Sequence, residues 1–276
     1  MATETLLEGA VTFAAAGWSG SGIADSNDYI INKPFGPITA GLDQSGLATG
    51  IESMWFYPGA VGVVGGGANG PFIVDADNSA DAFVNNYGAV TLYLQAGGGS
   101  GVINNFACGP NSINYLQGGS FPTIVQDGGT LVINASTDFD DLYVGQGSCT
   151  VEYHATDADS ITIDGGTAVI KRLPTTLTVN AGRVVLDPDD AEGVSGKTIN
   201  IKGGYVDWRA GAIPTVAINA GEVDFRRARV SFTPGGSAFT YTSGAIIHRN
   251  DAVVSLSNLT NVGSSKANAG SASPAP

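Results

Sequence analysis

Between Leu142 and Phe225 the chain alternates apolar and polar positions in one short phrase, repeated five times. The phrase is apolar, x, apolar, a small residue and Gly, then a second alternating run. It appears as Leu142-Tyr-Val144 with Gly147 and Cys149-Thr-Val151, and again as Ile161-Thr-Ile163 with Gly166 and Ala168-Val-Ile170. Leu177-Thr-Val179 follows with Gly182, then Ile199-Asn-Ile201 with Gly204, then Val216-Ala-Ile218 with Gly221. Successive glycines lie 19, 16, 22 and 17 residues apart. Alternation puts one row of side chains on each face of a strand, which predicts strands here. A Gly between two alternating runs predicts a bend that a residue with a Cβ would resist.

One such unit cannot bury its apolar row alone, but stacked units can. The pattern therefore predicts an all-β fold, a single-stranded parallel β-helix (β-solenoid), with little helix. Ile163, Val179, Ile201 and Ile218 should form one inward column, and Gly147, Gly166, Gly182, Gly204 and Gly221 should stack at one corner. The alternative is a sandwich or barrel, also built from short strands and Gly turns. Neither requires one phrase at a near-constant period.

Outside this stretch the pattern divides the chain. Residues 1–50 have short apolar runs, such as Val11-Thr-Phe13 and Tyr29-Ile-Ile31, between turn clusters. They read as an irregular N-terminal cap or adaptor. Residues 51–260 read as solenoid, with Val253–Leu256 as the last strand. Ser79–Tyr87 reads as a single helical turn. Residues 261–276 are mostly Gly, Ala, Ser and Pro with almost nothing to bury, and read as a flexible, disordered C-terminal tail.

Composition fits this reading. Gly contributes 40 of 276 residues and charged residues only 13%. Of the two cysteines, Cys149 falls at an inward position, which predicts a buried free thiol over a disulfide. Met1–Gly9 carries two acids and no base, and no run is long and apolar enough to span a membrane. The expectation is a protein made in a cytosol and not exported by the usual route. The formal charge of −13 disfavours nucleic acid and anionic membranes as partners. The charge is uneven: residues 1–200 hold 21 of the 25 acids and 5 of the 12 bases.

Candidate chemistry is sparse. Asp138, Asp140 and Asp141 crowd one turn, and Asp157, Asp159 and Asp164 another. Two carboxyls facing each other across a sugar could cleave a glycosidic bond, but Asp at a solvated corner more often bonds its own backbone. No Lys or Arg lies between Lys33 and Lys171 to assist a lyase. The acidic loop Asp187–Gly193 lacks the spacing of a calcium loop. Two histidines, His154 and His248, are too few for a zinc site of histidines alone. These readings predict no catalytic residue, no metal and no cofactor. The one basic cluster is Arg226, Arg227 and Arg229, which reads either as a solvated face or as a docking patch for an acidic protein surface. Trp55, Tyr57, Tyr205 and Trp208 read either as coil packing or as contact residues.

The opening Gly9-Ala-Val-Thr-Phe-Ala-Ala-Ala-Gly-Trp-Ser-Gly20, the turn Ala24–Asp28 before a strand, and Gly41-Leu-Asp-Gln-Ser45 resemble the openings of β-solenoid proteins encoded among tailed-phage structural genes. The resemblance extends through the glycine-bent coils to about Asn261. It implies a virion structural role and transfers no catalytic residue. The expected role is a capsid cement or decoration protein. It would be assembled in the host cytoplasm, bind the major capsid protein on the capsid exterior, and act as a homotrimer without nucleic acid or membrane. The alternatives are a tail fibre or spike that binds, and perhaps cleaves, host-surface glycans, and a surface adhesin.

Overall fold

In a computed structural model of the chain, the alternating runs are parallel strands joined through glycine corners. The structure describes all residues except 1–2, 14–16, 20–22, 24–26, 45–49, 75–82, 98–100, 154–157, 190–194, 212–213, 230–238, 243, 249–259 and 262–276. Of the helical turn expected over Ser79–Tyr87, residues 79–82 lie outside the described residues and Phe83–Asn86 are a strand, not helix, because they pair as a rung of the first sheet. The strand expected at Val253–Leu256 and the tail beyond Asn261 lie outside the described residues. Two compact units divide the chain, residues 1–149 with 154–156, and residues 150–153 with 157–276. Each is a parallel β-solenoid.

In the first unit one sheet runs Thr3–Thr5, Asp28–Ile31, Ser53–Phe56, Phe83–Asn86, Asn105–Cys108, Thr123–Gln126 and Asp141–Val144, each strand parallel to the next. A second sheet runs Val61–Val64, Ala89–Ala96, Ile113–Leu116 and Thr130–Ile133. Residues 1–50 thus supply two rungs of the first sheet, Thr3–Thr5 and Asp28–Ile31. Their loops place Phe13 and Trp18 inside, where Phe13 meets Phe72 edge-on at 4.8 Å and Trp18 meets Tyr29 at 4.9 Å. The Trp18 indole N–H donates to the Phe13 carbonyl at 3.1 Å, so the buried ring keeps its one polar atom satisfied.

The second unit repeats the plan. One sheet holds Ser160–Ile163, Thr176–Val179, Thr198–Ile201, Thr215–Ile218, Phe239–Tyr241 and Thr260–Asn261. The other holds Thr167–Ile170, Arg183–Leu186, Tyr205–Trp208, Gly221–Asp224 and Ala245–His248. Ile163, Val179, Ile201 and Ile218 stand directly opposite one another in register and are all fully buried. This is the inward column the alternation predicts.

The corner glycines explain why the register holds. Gly166, Gly182, Gly204 and Gly221 have φ of 66°, 81°, 73° and 87°, in the left-handed region. A Cβ on Gly204 would sit 2.6 Å from the Gly182 carbonyl oxygen, and one on Gly221 would sit 2.8 Å from that of Gly204. Each corner rests on the one before it, with no room for a side chain. In the first unit Gly147 (φ 86°) rests in the same way on Gly129 (φ 68°), where a Cβ would meet the Gly129 oxygen at 2.3 Å.

Not every inward position is apolar. Asn86, Asn114 and Gln126 are fully buried in the first unit. Their amides bond one another and the corner backbone: Asn86 Nδ2 donates to Asn114 Oδ1 at 2.7 Å, and Gln126 Nε2 donates to the carbonyls of Gly129 and Ser148 at 3.2 and 3.0 Å. Cys108 and Cys149 are buried free thiols, and burial pushes both well above the usual thiol range, Cys149 to about 12.

Two substitutions test the column and the corner. Ile201→Asp would bury a charge with no partner, which costs several kcal/mol; the variant should be insoluble or protease-sensitive where the wild type is neither. Gly196 (φ 78°) has open space around its missing Cβ, so Gly196→Ala pays only the left-handed backbone penalty of roughly 1–2 kcal/mol. Gly204→Ala pays that plus an overpacking cost of about 1–3 kcal/mol. Urea midpoints should rank wild type, then Gly196→Ala, then Gly204→Ala.

Candidate functional site

In a stacked rung, inward positions are fixed by packing and outward positions are free to carry chemistry. On the second unit's Tyr205–Trp208 and Gly221–Asp224 strands, Asp207 and Asp224 occupy outward positions directly opposite each other. The same position one rung earlier holds Val185, and one rung later His248. Two carboxylates at a rung spacing of ~4.8 Å would repel by roughly 3 kcal/mol at an effective dielectric of ~20. Such a pair persists only if cations lie closer than the two acids lie to each other.

They do. Arg226 forks onto Asp224, with Nε to Oδ1 at 3.0 Å and Nη2 to Oδ2 at 2.7 Å, and its backbone N–H donates to Oδ1 at 2.9 Å. Arg209 directs Nε and Nη2 onto Asp207 Oδ2 at 3.0 and 2.9 Å. Arg227 Nη1 stands 3.9 Å from the same oxygen. The Tyr205 hydroxyl donates to Asp224 Oδ2 at 2.9 Å, and the Arg183 guanidinium lies over the Tyr205 ring, 4.8 Å from its centroid. One rung on, His248 and Glu222 are paired at 2.7 Å.

Exposure divides these pairs. The Asp207 and Asp224 side chains are 1% and 5% exposed, whereas Arg226 and Arg227 are 60% and 70% exposed. The acids form a buried floor; Arg209 and Arg226 are hydrogen-bonded onto it, and Arg227 approaches it at 3.9 Å. The Arg226 hydrogen bonds, helped by its backbone N–H and by the Tyr205 hydroxyl, outweigh burial and hold the Asp224 carboxyl well below the usual carboxylate range. Burial and the bond to Asp224 push the Tyr205 hydroxyl up.

The sequence-predicted patch is therefore assembled in part. Arg226 and Arg227 share one acidic floor with Arg209, which the sequence reading did not include. Arg229 is exposed, and its backbone N–H donates to the Arg209 carbonyl at 2.8 Å. Of the aromatic residues read as either coil packing or contact residues, Trp208 is coil packing, fully buried and stacked on Phe225 at 5.6 Å. Tyr205 belongs to the acid–arginine cluster. Trp55 and Tyr57 lie on the outer wall of the first unit, stacked at 5.5 Å.

The acidic turns are more ordinary. Asp138, Asp140 and Asp141 are exposed, and the backbone N–H groups of Asp140 and Asp141 both donate to the Pro122 carbonyl. Asp164 accepts from Asn180 Nδ2 at 2.6 Å. Asp157, His154 and residues 190–193 of the acidic loop lie outside the described residues. Among the described residues no group of three His, Cys, Asp or Glu is placed to hold a metal ion.

No family model, curated protein or solved structure matches the chain. The reading of the site rests on its own geometry.

Asp224 gives a pH test with a definite sign. Its folded-state value is depressed, so its contribution to stability is fully present above the unfolded carboxylate value of ~3.9 and is lost as pH falls through the folded value. Asp224→Asn should lower the urea midpoint at pH 7. The gap to wild type should stay constant down to about pH 5 and narrow below about pH 4. A gap that widens in acid would contradict the assignment.

Proposed function

We propose that this chain is a virion structural protein, a capsid cement or decoration protein that binds the major capsid protein on the exterior of the shell. It does so as a homotrimer and without catalysis. The observation that carries this reading is the layered cluster in the second unit. Buried Asp224 fixes the guanidinium of Arg226 at an outer wall through paired hydrogen bonds, and Arg227 stands 3.9 Å from Asp207; both guanidiniums keep most of their surface open. A cation immobilised in this way loses little entropy on meeting an acidic partner surface, and its charge favours encounter and orientation. The β-solenoid architecture and the resemblance of the N-terminal segment to phage structural proteins support the same reading. Closed cyclic symmetry is the usual assembly for identical chains.

A fibre or spike on the tail is the competing role, and stoichiometry separates them: hundreds of copies per particle for a decoration protein, a few dozen at most for a spike. The docking patch is tested by replacing Arg226, Arg227 and Arg229 with Ser. The variant should keep the oligomeric state of the wild type and bind particles more weakly, with a flatter dependence on salt. If it decorates particles as well as wild type while removal of residues 1–20 abolishes decoration, the N-terminal segment is the anchor instead.

A further inference from the structure

The geometry points to a second binding surface, a strip for a neutral polysaccharide on the outer wall of the first unit. The third residue of each strand in that unit's first sheet faces outward. In register these are Thr5, Ile30, Trp55, Asn85, Ala107, Val125 and Tyr143. In the second unit the third residues of the corresponding sheet are Thr162, Thr178, Asn200, Ala217 and Thr240. The two rows occupy the same kind of position, on the same kind of strand, facing the same solvent. The second unit's row is short and polar except at Ala217; the first unit's row is apolar or aromatic except at Thr5 and Asn85. Solenoid packing therefore does not account for Trp55 and Tyr143 at these positions, because the second unit stacks without such residues.

The strip is rigid and edged with polar groups. Trp55 is stacked on Tyr57 at 5.5 Å and meets Phe83 edge-on at 4.9 Å. Tyr57 is 37% and Tyr143 39% exposed. Along one edge the row runs Asp28, Ser53, Phe83, Asn105, Thr123 and Asp141; buried Ser53 donates its hydroxyl to Asp28 Oδ1, and Phe83 interrupts the polar groups beside Trp55. Along the other edge Tyr87 donates to Asp127 Oδ2 at 2.5 Å, its ring lying where a Cβ on Gly109 would be. Amides, hydroxyls and carboxylates flanking aromatic faces match the two surfaces of a pyranose, whose C–H face is apolar and whose rim is hydroxyl. Five rung steps from Ile30 to Tyr143 cover roughly 24 Å, long enough for several sugar residues laid along the stack.

Charge and area exclude the other occupants. Residues 1–149 contain thirteen acidic residues and a single base, Lys33, so a nucleic acid or an acidic glycan would be repelled. A second copy laid strip to strip would bring two strongly acidic walls together. Away from Trp55, which Tyr57 and Phe83 flank, the apolar strip is one residue wide, well short of the roughly 800 Å² per partner of a stable protein interface.

The surface is independent of the arginine cluster and can be tested without particles. The full chain is run in native gels containing dextran, a β-glucan, galactomannan or xylan, and in parallel gels with dextran sulfate or polygalacturonate. Retardation by at least one neutral polymer, and by neither anionic one, is expected. Trp55→Ala and Tyr143→Ala should each weaken retardation about tenfold or more, and Thr178→Ala should leave it unchanged. Tyr143→Ala, at an exposed position, serves where Trp55→Ala is not folded by circular dichroism. Migration unaffected by every neutral polymer overturns the proposal. So does retardation that survives Tyr143→Ala. A wild-type oligomer that dissociates on Tyr143→Ala in sedimentation equilibrium also overturns it, because the strip is then a contact between copies.

Discussion

Both units depend on the close approach of one corner backbone to the next. At Gly204 and Gly221 the corner of one rung lies within 3 Å of where a Cβ would stand on the following one. The left-handed backbone there is open to Gly at little cost and to other residues only at a penalty. Because the corner admits no side chain, the strand leaving it always starts in the same phase, and its apolar residues always turn inward. The variation between rungs is then confined to loops elsewhere, so glycines spaced 16 to 22 residues apart still stack.

This constraint divides labour between the two faces of a strand. The inward face accepts little besides branched apolar residues, and where amides enter, as at Asn86, Asn114 and Gln126, they are tied to each other or to the corner carbonyls. The outward face has no such requirement. In the second unit it carries stacked acids under arginines, and in the first an aromatic row. Parallel in-register stacking brings residues from successive rungs side by side, so a pair such as Asp207 and Asp224, 17 positions apart, becomes a direct neighbour.

The same geometry explains what could be read from the sequence. The five-fold phrase announced the fold, the inward column and the corner glycines, because each is a property of one rung repeated. The arginine cluster was visible as a run of bases, but its acidic floor was not. Asp207 and Asp224 sit at outward positions, which alternation alone assigns to solvent; each is capped by the Arg two residues on, and the pairing register sets the two acids side by side and brings Arg227 towards Asp207. The signal was available in hindsight: each follows a buried Val by one residue and precedes an Arg by two. The aromatic row was harder still. The row has one residue per rung, of which only Trp55 and Tyr143 are aromatic, the intervals from Ile30 to Tyr143 range from 18 to 30 residues, and Trp55 and Tyr57 alone do not separate packing from contact. The rungs within residues 1–50 were obscured by long turn clusters between them.

The two cysteines have a consequence for the surroundings the protein can tolerate. Both thiols are free, sit behind the wall of the first unit and are held in the protonated form by burial. A protonated, inaccessible sulfur neither attacks a disulfide nor offers itself to an oxidant. The architecture relies on neither the oxidised nor the reduced form of a crosslink. In the folded first unit burial therefore keeps both thiols from external thiols, disulfides and oxidants.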